Sequence, residues 1–459
     1  MISWATAFQL RQRLKNSLWA LPLVGGVVGV AVAQLDLALE GRITLPGGWQ
    51  YSAGAASSVL AAIIGAMISL LGLVVTVSVL VVQQATGTLS PRYMRLWYRD
   101  RLQKVVIATF VGTFAFAYSL LRRVEEGTVP VLGVTLAGFA AGASLVLLLF
   151  YVNRFTHNLR PVAVAAAVAA AGQRVLSAEA GEWAARRPAL DRDVRRPGGL
   201  LLTVRAPRYG TIQALAGERL VRAARRHDCV LVLVHGVGDF LPEGTTLIEV
   251  YGSSAPDRGL LEGLVATGIE RTIEQDPAFA LRILVDIAIR ALSPAVNDPT
   301  TAVQVLDYIE QLLQSLAPLP LSSSYALCDD EGHVRVVVPG RSWDEFLALA
   351  VTEIRLYGAT APQVDRRLRA VLEGLLTAPA GHRAAVSAEL RRLDASIAET
   401  FPDGDMHAFA RRSDRQGIGG RAAEAGPDEP PSPDDAGGRA PSDDLTRPWE
   451  VARPADGRP

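Results

Sequence analysis

Residues 55–82 read AASSVLAAIIGAMISLLGLVVTVSVLVV, an apolar run without a charged side chain. A transmembrane helix needs about 20 predominantly apolar residues to cross the roughly 30 Å of hydrocarbon in a bilayer. Similar runs occupy residues 18–37, 105–121 and 129–151. Four such runs in succession favour membrane spans over the buried helices of a soluble core. The sequence therefore predicts four transmembrane helices in the first third of the chain.

The rest of the chain has a different composition. Hydrophobic residues make up 49% of the 459 residues and charged residues 20%, which is more apolar than an ordinary soluble protein. The apolar excess lies before residue 153, and most Arg, Asp and Glu residues lie after it. The predicted fold class is a membrane all-α part with four transmembrane helices, followed by an α+β soluble domain.

Basic residues flank the predicted spans unevenly, and this asymmetry sets the orientation. Ten lie in the N-terminal segment, the second loop and the segment after the fourth span: Arg11, Arg13, Lys15, Arg92, Arg95, Arg99, Arg101, Lys104, Arg154 and Arg160. Three lie in the first and third loops: Arg42, Arg122 and Arg123. Both termini are therefore expected in the cytoplasm. Signal-peptide cleavage after residues 31–33 stays open as an alternative, and it would leave the soluble domain on the same side.

Composition and periodicity divide the chain into five segments. They are a four-helix transmembrane domain (1–160), a helical connector (161–196), a small β-rich subdomain with the pattern of a small barrel or sandwich (197–252), a mainly helical subdomain (253–402) and a tail (403–459). The tail is rich in Pro, Gly, Asp and Arg and poor in apolar residues, so we expect it to be disordered.

Local patterns place the elements of the soluble domain. Alternating apolar and polar residues predict strands at 200–206, 210–215, 230–234 and 246–251, a helix at 217–227, and a hairpin from 325 to 338 that turns at 330–332. Two capping boxes, at 342–345 and 360–363, are predicted to open further helices.

Charge and residue usage exclude several classes of function. Lys+Arg and Asp+Glu both number 46, so no net charge favours nucleic acid as a partner. The only lysines are Lys15 and Lys104, which excludes ammonium chemistry from the soluble domain. Two cysteines and six histidines without ligand spacing predict no metal site. No cofactor is expected.

The predicted spans carry no titratable residue in their central turns, which argues against an ion-coupled transporter. Ser69, Thr76 and Ser78 could line a pore, but such hydroxyls more often bond the preceding turn. Two Gly-x-x-x-Gly pairs, at 25–29 and 138–142, permit close helix approach. We expect both pairs to pack inside the bundle rather than to form a dimer, although a homo-oligomer is left open.

The second loop combines basic and aromatic residues. Its candidates for binding lipid head groups are Arg92, Arg95, Arg99 and Arg101. Basic and aromatic side chains at a membrane interface commonly bind anionic lipid, so the lipid bilayer is the predicted partner. A nucleotide site would need a glycine-rich loop, and this segment has none.

The most polar part of the soluble domain is a pair of segments, 271–276 and 293–301. Its ligand-binding candidates are Arg271, Gln275, Asp276, Asn297, Asp298, Thr300 and Thr301. The simpler interpretation is structural: Asp298 precedes Pro299 and would cap a helix by accepting from the amides of Thr300 and Thr301. The functional alternatives are an anion at that helix end, or Asp276 and Asp298 acting as acid and base.

Many of these residues also carry a resemblance. They are Gln83, Ser90-Pro91-Arg92, Asp100-Arg101, Gln103, Gly112, Tyr118, Gly238-Asp239-Phe240, Gly244, Arg271-Thr272, Gln275-Asp276, Ala291-Leu292-Ser293-Pro294, Asn297-Asp298-Pro299-Thr300-Thr301-Ala302, Trp343-Asp344-Glu345-Phe346 and Ile354-Arg355. With them the chain resembles, over residues 10–400, the bacterial family of predicted membrane proteins called domain of unknown function 2254. The resemblance implies a bacterial multi-pass membrane protein, and it brings no activity, substrate or catalytic residue. The location that we expect is the bacterial inner membrane.

Two functions are therefore carried forward. The first is a non-enzymatic, channel-like or sensor protein whose cytoplasmic domain binds a ligand and is coupled to the membrane helices. The alternative is a membrane-anchored enzyme that uses the carboxylates of residues 271–301.

Overall fold

A computed structural model describes residues 3–39, 51–88, 100–125, 129–158, 160–178, 187–188, 198–402 and 404–418. Its helices are α1 (Trp4–Asn16), α2 (Ala20–Leu39), α3 (Ala53–Thr88), α4 (Arg101–Leu121), α5 (Val131–Asn158), α6 (Pro161–Ala178), α7 (Gly217–Arg226), α8 (Arg258–Glu262), α9 (Pro277–Ala291), α10 (Pro299–Leu316), α11 (Trp343–Gly358), α12 (Pro362–Leu375), α13 (Ala380–Thr400) and α14 (Gly404–Ala410). Its strands are β1 (Arg187–Pro188), β2 (Leu200–Arg205), β3 (Gly210–Leu215), β4 (Cys229–Leu233), β5 (Phe240–Leu241), β6 (Thr246–Gly252), β7 (Val265–Gly268), β8 (Ser324–Cys328) and β9 (Val334–Pro339).

Helices α2 to α5 correspond to the four predicted membrane spans. Each of α3, α4 and α5 is long and apolar enough to cross a membrane, and α2 meets that test together with α1, from which it is bent by 73°. Their facing side chains form one apolar core that includes Leu60, Phe110 and Leu148. The prediction of four candidate membrane helices is confirmed.

Two glycines bring α2 against α4. A Cβ atom built on Gly25 would lie 2.3 Å from the carbonyl oxygen of Ala108, and one on Gly29 would lie 2.2 Å from that of Gly112. These neighbours are backbone atoms and cannot move aside, so a larger residue would force the helices apart. The pair at 25–29 therefore packs inside the bundle, as predicted.

The second glycine pair behaves differently. Among the described residues, a Cβ atom built on Gly138 or Gly142 of α5 would meet no atom within 4 Å. The expectation that this pair also packs inside the bundle is wrong, because both residues lie on the face of α5 that points away from the other helices.

Helix α6 satisfies the length and hydropathy of a membrane span, but it packs in the soluble domain. Val164, Val168 and Leu176 belong to the same apolar core as α9 and α10. Gly172 lies so close to α9 that a Cβ atom there would be 2.9 Å from the Cβ of Ala280. Residues 161–178 of the segment predicted as a connector are thus a core helix of the soluble domain.

The strands form two sheets that share one apolar core. The larger sheet has the order β1-β8-β9-β4-β6-β2 and the smaller the order β5-β3-β7. Leu231 and Ile248 from the larger sheet and Ile212 from the smaller one meet in that core. The arrangement is sandwich-like, and the described strands form no closed barrel.

The predicted strands at 200–206, 210–215, 230–234 and 246–251 agree with β2, β3, β4 and β6 to within one residue. The predicted hairpin is β8 and β9, and β9 pairs in parallel with β4. The larger sheet therefore takes strands from both sides of residue 253. The predicted boundary there does not separate a β-rich unit from a helical one, because cross-strand pairing brings distant segments together.

Helices α6 and α9 to α13 pack around a second core of the soluble domain. Helix α11 starts with the predicted capping box, in which Ser342 and Glu345 bond each other's backbone amides. The box predicted at 360–363 is wrong, because the N-cap of α12 is Ala361, which has no capping side chain. A proline disfavours the helical conformation in the residue before it, here Ala361. The helix therefore begins at Pro362.

The fold continues past the predicted start of the tail at 403. Ala410 of α14 is buried in the helical core, and the guanidinium carbon of Arg366 lies 4.4 Å from the centre of the Phe409 ring. Asp414 is buried and accepts from the amides of Gln416 and Gly417. The predicted start of the tail at 403 is therefore wrong for residues 404–418. A helix of seven residues with few apolar side chains gives no clear periodicity in a polar sequence. Residues 419–459 lie outside the described part.

The close approach of α2 and α4 makes a testable prediction. We expect Gly29→Ala to lower the free energy of unfolding by about 1–3 kcal/mol, the usual cost of overpacking. Gly142→Ala is the matched control and should be neutral or stabilising, because Ala favours a helix over Gly by about 1 kcal/mol. Thermal unfolding in detergent measures both. Equal melting temperatures for the two variants would contradict the packing of α2 on α4.

Candidate functional site

The first polar segment lies between β7 and α9. Asp276 caps α9: its Oδ1 accepts from the amide of Phe279 at 3.2 Å. Its Oδ2 accepts from Nε and Nη2 of Arg271, at 2.9 and 2.7 Å. Asp276 is buried, whereas the Arg271 side chain is 29% exposed. Burial raises the pKa of Asp276, and the Arg271 guanidinium opposes that shift.

A neighbouring turn closes over this ion pair. Gly238 has a φ of +93°, and a Cβ atom built there would lie 2.3 Å from Nη2 of Arg271 and 2.6 Å from Oδ2 of Asp276. Only glycine fits this approach. Sequence analysis named Gly238 only among the residues that carry the family resemblance and 271–276 as a polar segment, whereas the structure brings Gly238 onto the ion pair.

The loop from residue 269 to residue 276, hereafter the 269–276 loop, is also held by β3. The side chain of Gln275 bonds both main-chain groups of Leu215, accepting from the amide at 2.8 Å and donating to the carbonyl at 3.2 Å. Gln213 donates to the carbonyl of Glu270 at 2.7 Å. Gln275 therefore fixes the loop through backbone contacts and is not directed at a ligand.

Helix α1 connects this region to the membrane helices. The amide of Ala5 donates to the carbonyl of Gly263 at 2.9 Å, and Gln9 Nε2 donates to the carbonyl of Thr267 in β7 at 2.7 Å. Trp4 and Phe8 stack with ring centres 5.5 Å apart and pack beside Ala214 and Ala266. The helix therefore docks on the smaller sheet.

The far end of α1 contacts both parts of the protein. Lys15 Nζ lies 3.6 Å from Oε1 of Glu274 in the 269–276 loop. The main-chain carbonyl of the same Lys15 accepts from Nζ of Lys104 at the start of α4. Sequence analysis used Lys15 and Lys104 to set the orientation and to exclude ammonium chemistry from the soluble domain, and it predicted no contact between them. No local pattern could reveal this bridge, because its partners are separated by about 90 and 260 residues in sequence.

The second polar segment caps α10. Oδ1 of Asp298 accepts from the amide of Thr301 at 3.0 Å, and Oδ2 accepts from the hydroxyl of Thr301 at 2.6 Å. Asn297 has a φ of +48°, which asparagine tolerates better than most residues. The hydroxyl of Thr300 accepts from Gln363 at 3.4 Å. The geometry matches the capping interpretation, with Thr301 supplying both donors.

The two segments do not form one site. Asp276 precedes the first residue of α9, and Asp298 follows its last residue, Ala291. Fifteen helical residues separate them by roughly 22 Å at 1.5 Å per residue. An acid and a base at that distance cannot act on one bond.

The other predicted positions are placed as follows. Arg92, Arg95 and Arg99 lie outside the described residues, and Arg101 is the first residue of α4. The hydroxyl of Ser69 donates to the carbonyl of Gly65, and that of Ser78 donates to the carbonyl of Val74. These two hydroxyls bond the preceding turn, as the simpler interpretation predicted.

One group of side chains has the spacing of a metal site. Asp329, Glu331 and His333 bring ligand atoms within 4.8 Å of one another in the β8–β9 turn. Asp329, however, accepts from Nε of Arg335 at 2.7 Å and from the amides of Glu331 and His333. Its oxygens are engaged in holding the hairpin, so the geometry favours a structural role.

Sequence analysis missed Asp365. This residue is fully buried in α12, and neither carboxylate oxygen has a hydrogen-bond partner in the part of the chain that the structure describes. Burial raises its pKa to about 8, against the opposing charge of Arg369. The sequence around it, Asp365-Arg366-Arg367, is typical of an exposed helix face, so no local signal marks the burial.

Comparisons with known proteins place the chain among membrane proteins. The family model described as "Predicted membrane protein (DUF2254)" matches residues 15–374. The chain is similar to the uncharacterized protein Rv1290c of Mycobacterium tuberculosis and the uncharacterized protein Mb1321c of Mycobacterium bovis. Each is 29% identical over 438 residues, covering 90% of this chain and 80% of the relative. No solved structure matches the chain.

The two capping aspartates should respond differently to substitution. Asn is as good an N-cap as Asp, so Asp298→Asn should be nearly neutral, and Asp298→Ala should cost about 0.5–2 kcal/mol. Asp276→Asn keeps the cap but leaves Arg271 without its carboxylate, and we expect a cost of about 1–3 kcal/mol. Urea unfolding of the three variants measures these costs. Equal losses for the two Asn variants would contradict a special role for the Arg271–Asp276 pair.

Asp365 should make stability depend on pH. Its folded pKa of about 8 lies above the ordinary value of about 4, so the carboxyl group takes up a proton on folding between these values. Its contribution to stability is complete below pH 4 and is lost as the pH rises toward 8, by at most about 1.4 kcal/mol per pH unit.

The test of this linkage is the melting temperature of Asp365→Asn between pH 5 and pH 8. The variant cannot ionise, so its stability should fall less over this range than that of the wild type. Asp344→Asn, at an exposed position of α11, should follow the wild-type curve. Parallel curves for all three proteins would show that Asp365 is ionised in the folded state.

Proposed function

The chain belongs to the family of predicted membrane proteins called domain of unknown function 2254, and on that premise we propose a non-enzymatic, channel-like or sensor function. In this proposal the soluble domain binds a ligand, and the resulting change reaches the membrane helices. The proposed location is the bacterial inner membrane, with both termini and the soluble domain in the cytoplasm. The excess of basic residues around the second loop and the two flanking segments supports that orientation.

One observation carries the proposal: α1 touches both the soluble domain and the membrane bundle. The side chain of Gln9 donates to β7. The side chain of Lys15 lies near Glu274, and the main-chain carbonyl of Lys15 accepts a hydrogen bond from Lys104. A change at the 269–276 loop therefore has a short path, through Lys15, to the first turn of α4. Coupling of this kind requires contiguous contacts between the two parts.

The 269–276 loop is the proposed ligand-binding region, and an anion is the ligand class that it favours. Arg271 is partly exposed beside the buried Asp276, and Arg341 acts on Asp276 electrostatically. Two guanidinium groups therefore lie near one buried carboxylate, and Arg271 is the partly exposed one that a ligand could reach. Planar guanidinium groups suit carboxylate or phosphate ligands.

The alternative, a membrane-anchored enzyme, has less support. Both oxygens of Asp276 are used by Arg271 and Phe279, and both oxygens of Asp298 by Thr301. A general base needs a free lone pair within hydrogen-bond reach of its substrate. The two carboxylates also lie at opposite ends of α9, so each would have to act alone.

Hydrogen exchange in lipid nanodiscs tests the coupling. Glu274→Gln and Gln9→Ala weaken the contacts of α1 with the soluble domain, and we expect faster exchange of the amides of residues 101–104 at the start of α4. Glu331→Gln is the matched control, because it breaks an exposed ion pair with Arg225 at the β8–β9 turn of the larger sheet, whereas α1 docks on the smaller sheet. It should leave residues 101–104 unchanged.

Two outcomes count against the proposal. Unchanged exchange at residues 101–104 in both α1-contact variants would remove the coupling path. A catalytic turnover that Asp276→Asn abolishes in a folded protein would favour the enzyme instead.

A further inference from the structure

Helix α1 has two different faces, and only one of them is covered by the soluble domain. The covered face includes Ala5 and Gln12, which are buried, and Gln9, which binds Thr267. At about 100° per residue, Leu10 and Leu14 lie roughly 140° and 180° around the helix from Ala5. These two leucines therefore point away from the soluble domain, and each is 51% exposed.

The exposed face of α1 is apolar in its centre and basic at its edges. Ala7, Leu10 and Leu14 form the centre, and Arg11 and Arg13 flank it on opposite sides. In the part of the chain that the structure describes, neither arginine forms an ion pair. Ala7, Leu10, Arg11, Leu14 and Lys15 line a shallow groove of about 480 Å³. An apolar stripe with flanking cations is the pattern of a helix that lies in a membrane interface.

The orientation of α1 relative to the bundle fits that location. The axes of α1 and α2 differ by 73°, so if α2 crosses the bilayer, α1 runs nearly parallel to the membrane surface. One side of α1 is already occupied by the soluble domain, and its opposite side, with Leu10 and Leu14, is exposed in the described part of the chain. Trp19, at the bend between the two helices, is 66% exposed, and tryptophan is enriched at the boundary between lipid and water.

We propose that α1 is an interfacial helix whose outer face, Ala7, Leu10 and Leu14 with Arg11 and Arg13, binds anionic lipid. Leu10 and Leu14 insert among the acyl chains near the head groups. Arg11 and Arg13 extend along the helix flanks to the lipid phosphates, as long basic side chains do at interfaces. The opposite face holds the smaller sheet of the soluble domain, so one helix contacts lipid and protein at once.

This inference goes beyond the proposed function, because α1 can bind lipid whether or not the soluble domain binds a ligand. It also differs from the lipid contacts predicted for the second loop. The apolar and basic parts of the α1 surface both lie among the described residues. Lipid is the proposed occupant because the chain continues from α1 directly into the membrane span α2.

Spin labels test the position of the helix. Labels at Leu10→Cys and Leu14→Cys, in a Cys328→Ser background and with Cys229 buried, are compared with a label at Arg219→Cys on the exposed side of α7. In nanodiscs the first two should be more accessible to oxygen than to a water-soluble nickel chelate, and the third should show the reverse. Chelate accessibility at residues 10 and 14 equal to that at 219 would overturn the proposal.

Lipid binding tests the charge. Each arginine near an anionic membrane surface contributes about 1 kcal/mol, or about five-fold in affinity. The double variant Arg11→Gln with Arg13→Gln should therefore retain phosphatidylglycerol about 25-fold more weakly in native mass spectrometry, with unchanged retention of phosphatidylcholine. Arg219→Gln with Arg226→Gln, at exposed positions of α7, is the matched control and should behave like the wild type.

Thermal melts of the double variants separate lipid binding from folding, because Arg11 and Arg13 make no ion pair in the described chain whose loss would unfold the protein. A folded Arg11/Arg13 variant that retains phosphatidylglycerol as well as the wild type would overturn the assignment of anionic lipid to α1. A loss that is the same for both lipids would do so too.

Discussion

The docking of α1 on β7 is the contact on which the relation between the two halves of the protein depends. A helix of 13 residues is too short to be stable alone in water. It therefore needs the packing of Trp4 and Phe8 against the smaller sheet and the bond from Gln9 to Thr267. Because the chain passes from α1 into α2 after three residues, the docking of α1 on the sheet also constrains the position of the first membrane helix.

The membrane bundle imposes a second constraint. Hydrocarbon offers no hydrogen-bond partner, so each span must satisfy its backbone internally and gains stability mainly from close packing. Gly25 and Gly29 meet this need by bringing α2 onto the backbone of α4. Since Lys104 in the first turn of α4 reaches the carbonyl of Lys15, the tight α2–α4 pair and α1 form one connected unit.

The sequence predicted the elements well and their long-range partners poorly. The strands around 200–252 were placed within one residue because alternation is a local property. Asp298 was correctly interpreted as a cap because its partner is three residues away. The Arg271–Asp276 pair lay within the predicted cluster, but the approach of Gly238 to it depends on the sheet and has no signal in the sequence.

Three local patterns are misleading for a common physical reason. Asp276 and Asp298 were weighed as one acid–base pair, yet a 15-residue helix holds them apart. Asp365 precedes two arginines in a charged stretch, yet it is fully buried. Helix α6 looks like a connector, and its hydropathy suits a membrane, yet its apolar face is complementary to α9 and α10. Each outcome is decided by tertiary packing, which overrides local composition.

The central claim is that α1 is docked on the soluble domain, and the hydrogen exchange of α1 in the unmodified full-length protein tests it most directly. If the helix is held by β7, the amides of residues 8–16 should exchange about as slowly as those of β7, because both open in the same event. Exchange of these amides at the rate of an unprotected peptide, while β7 stays protected, would contradict the account.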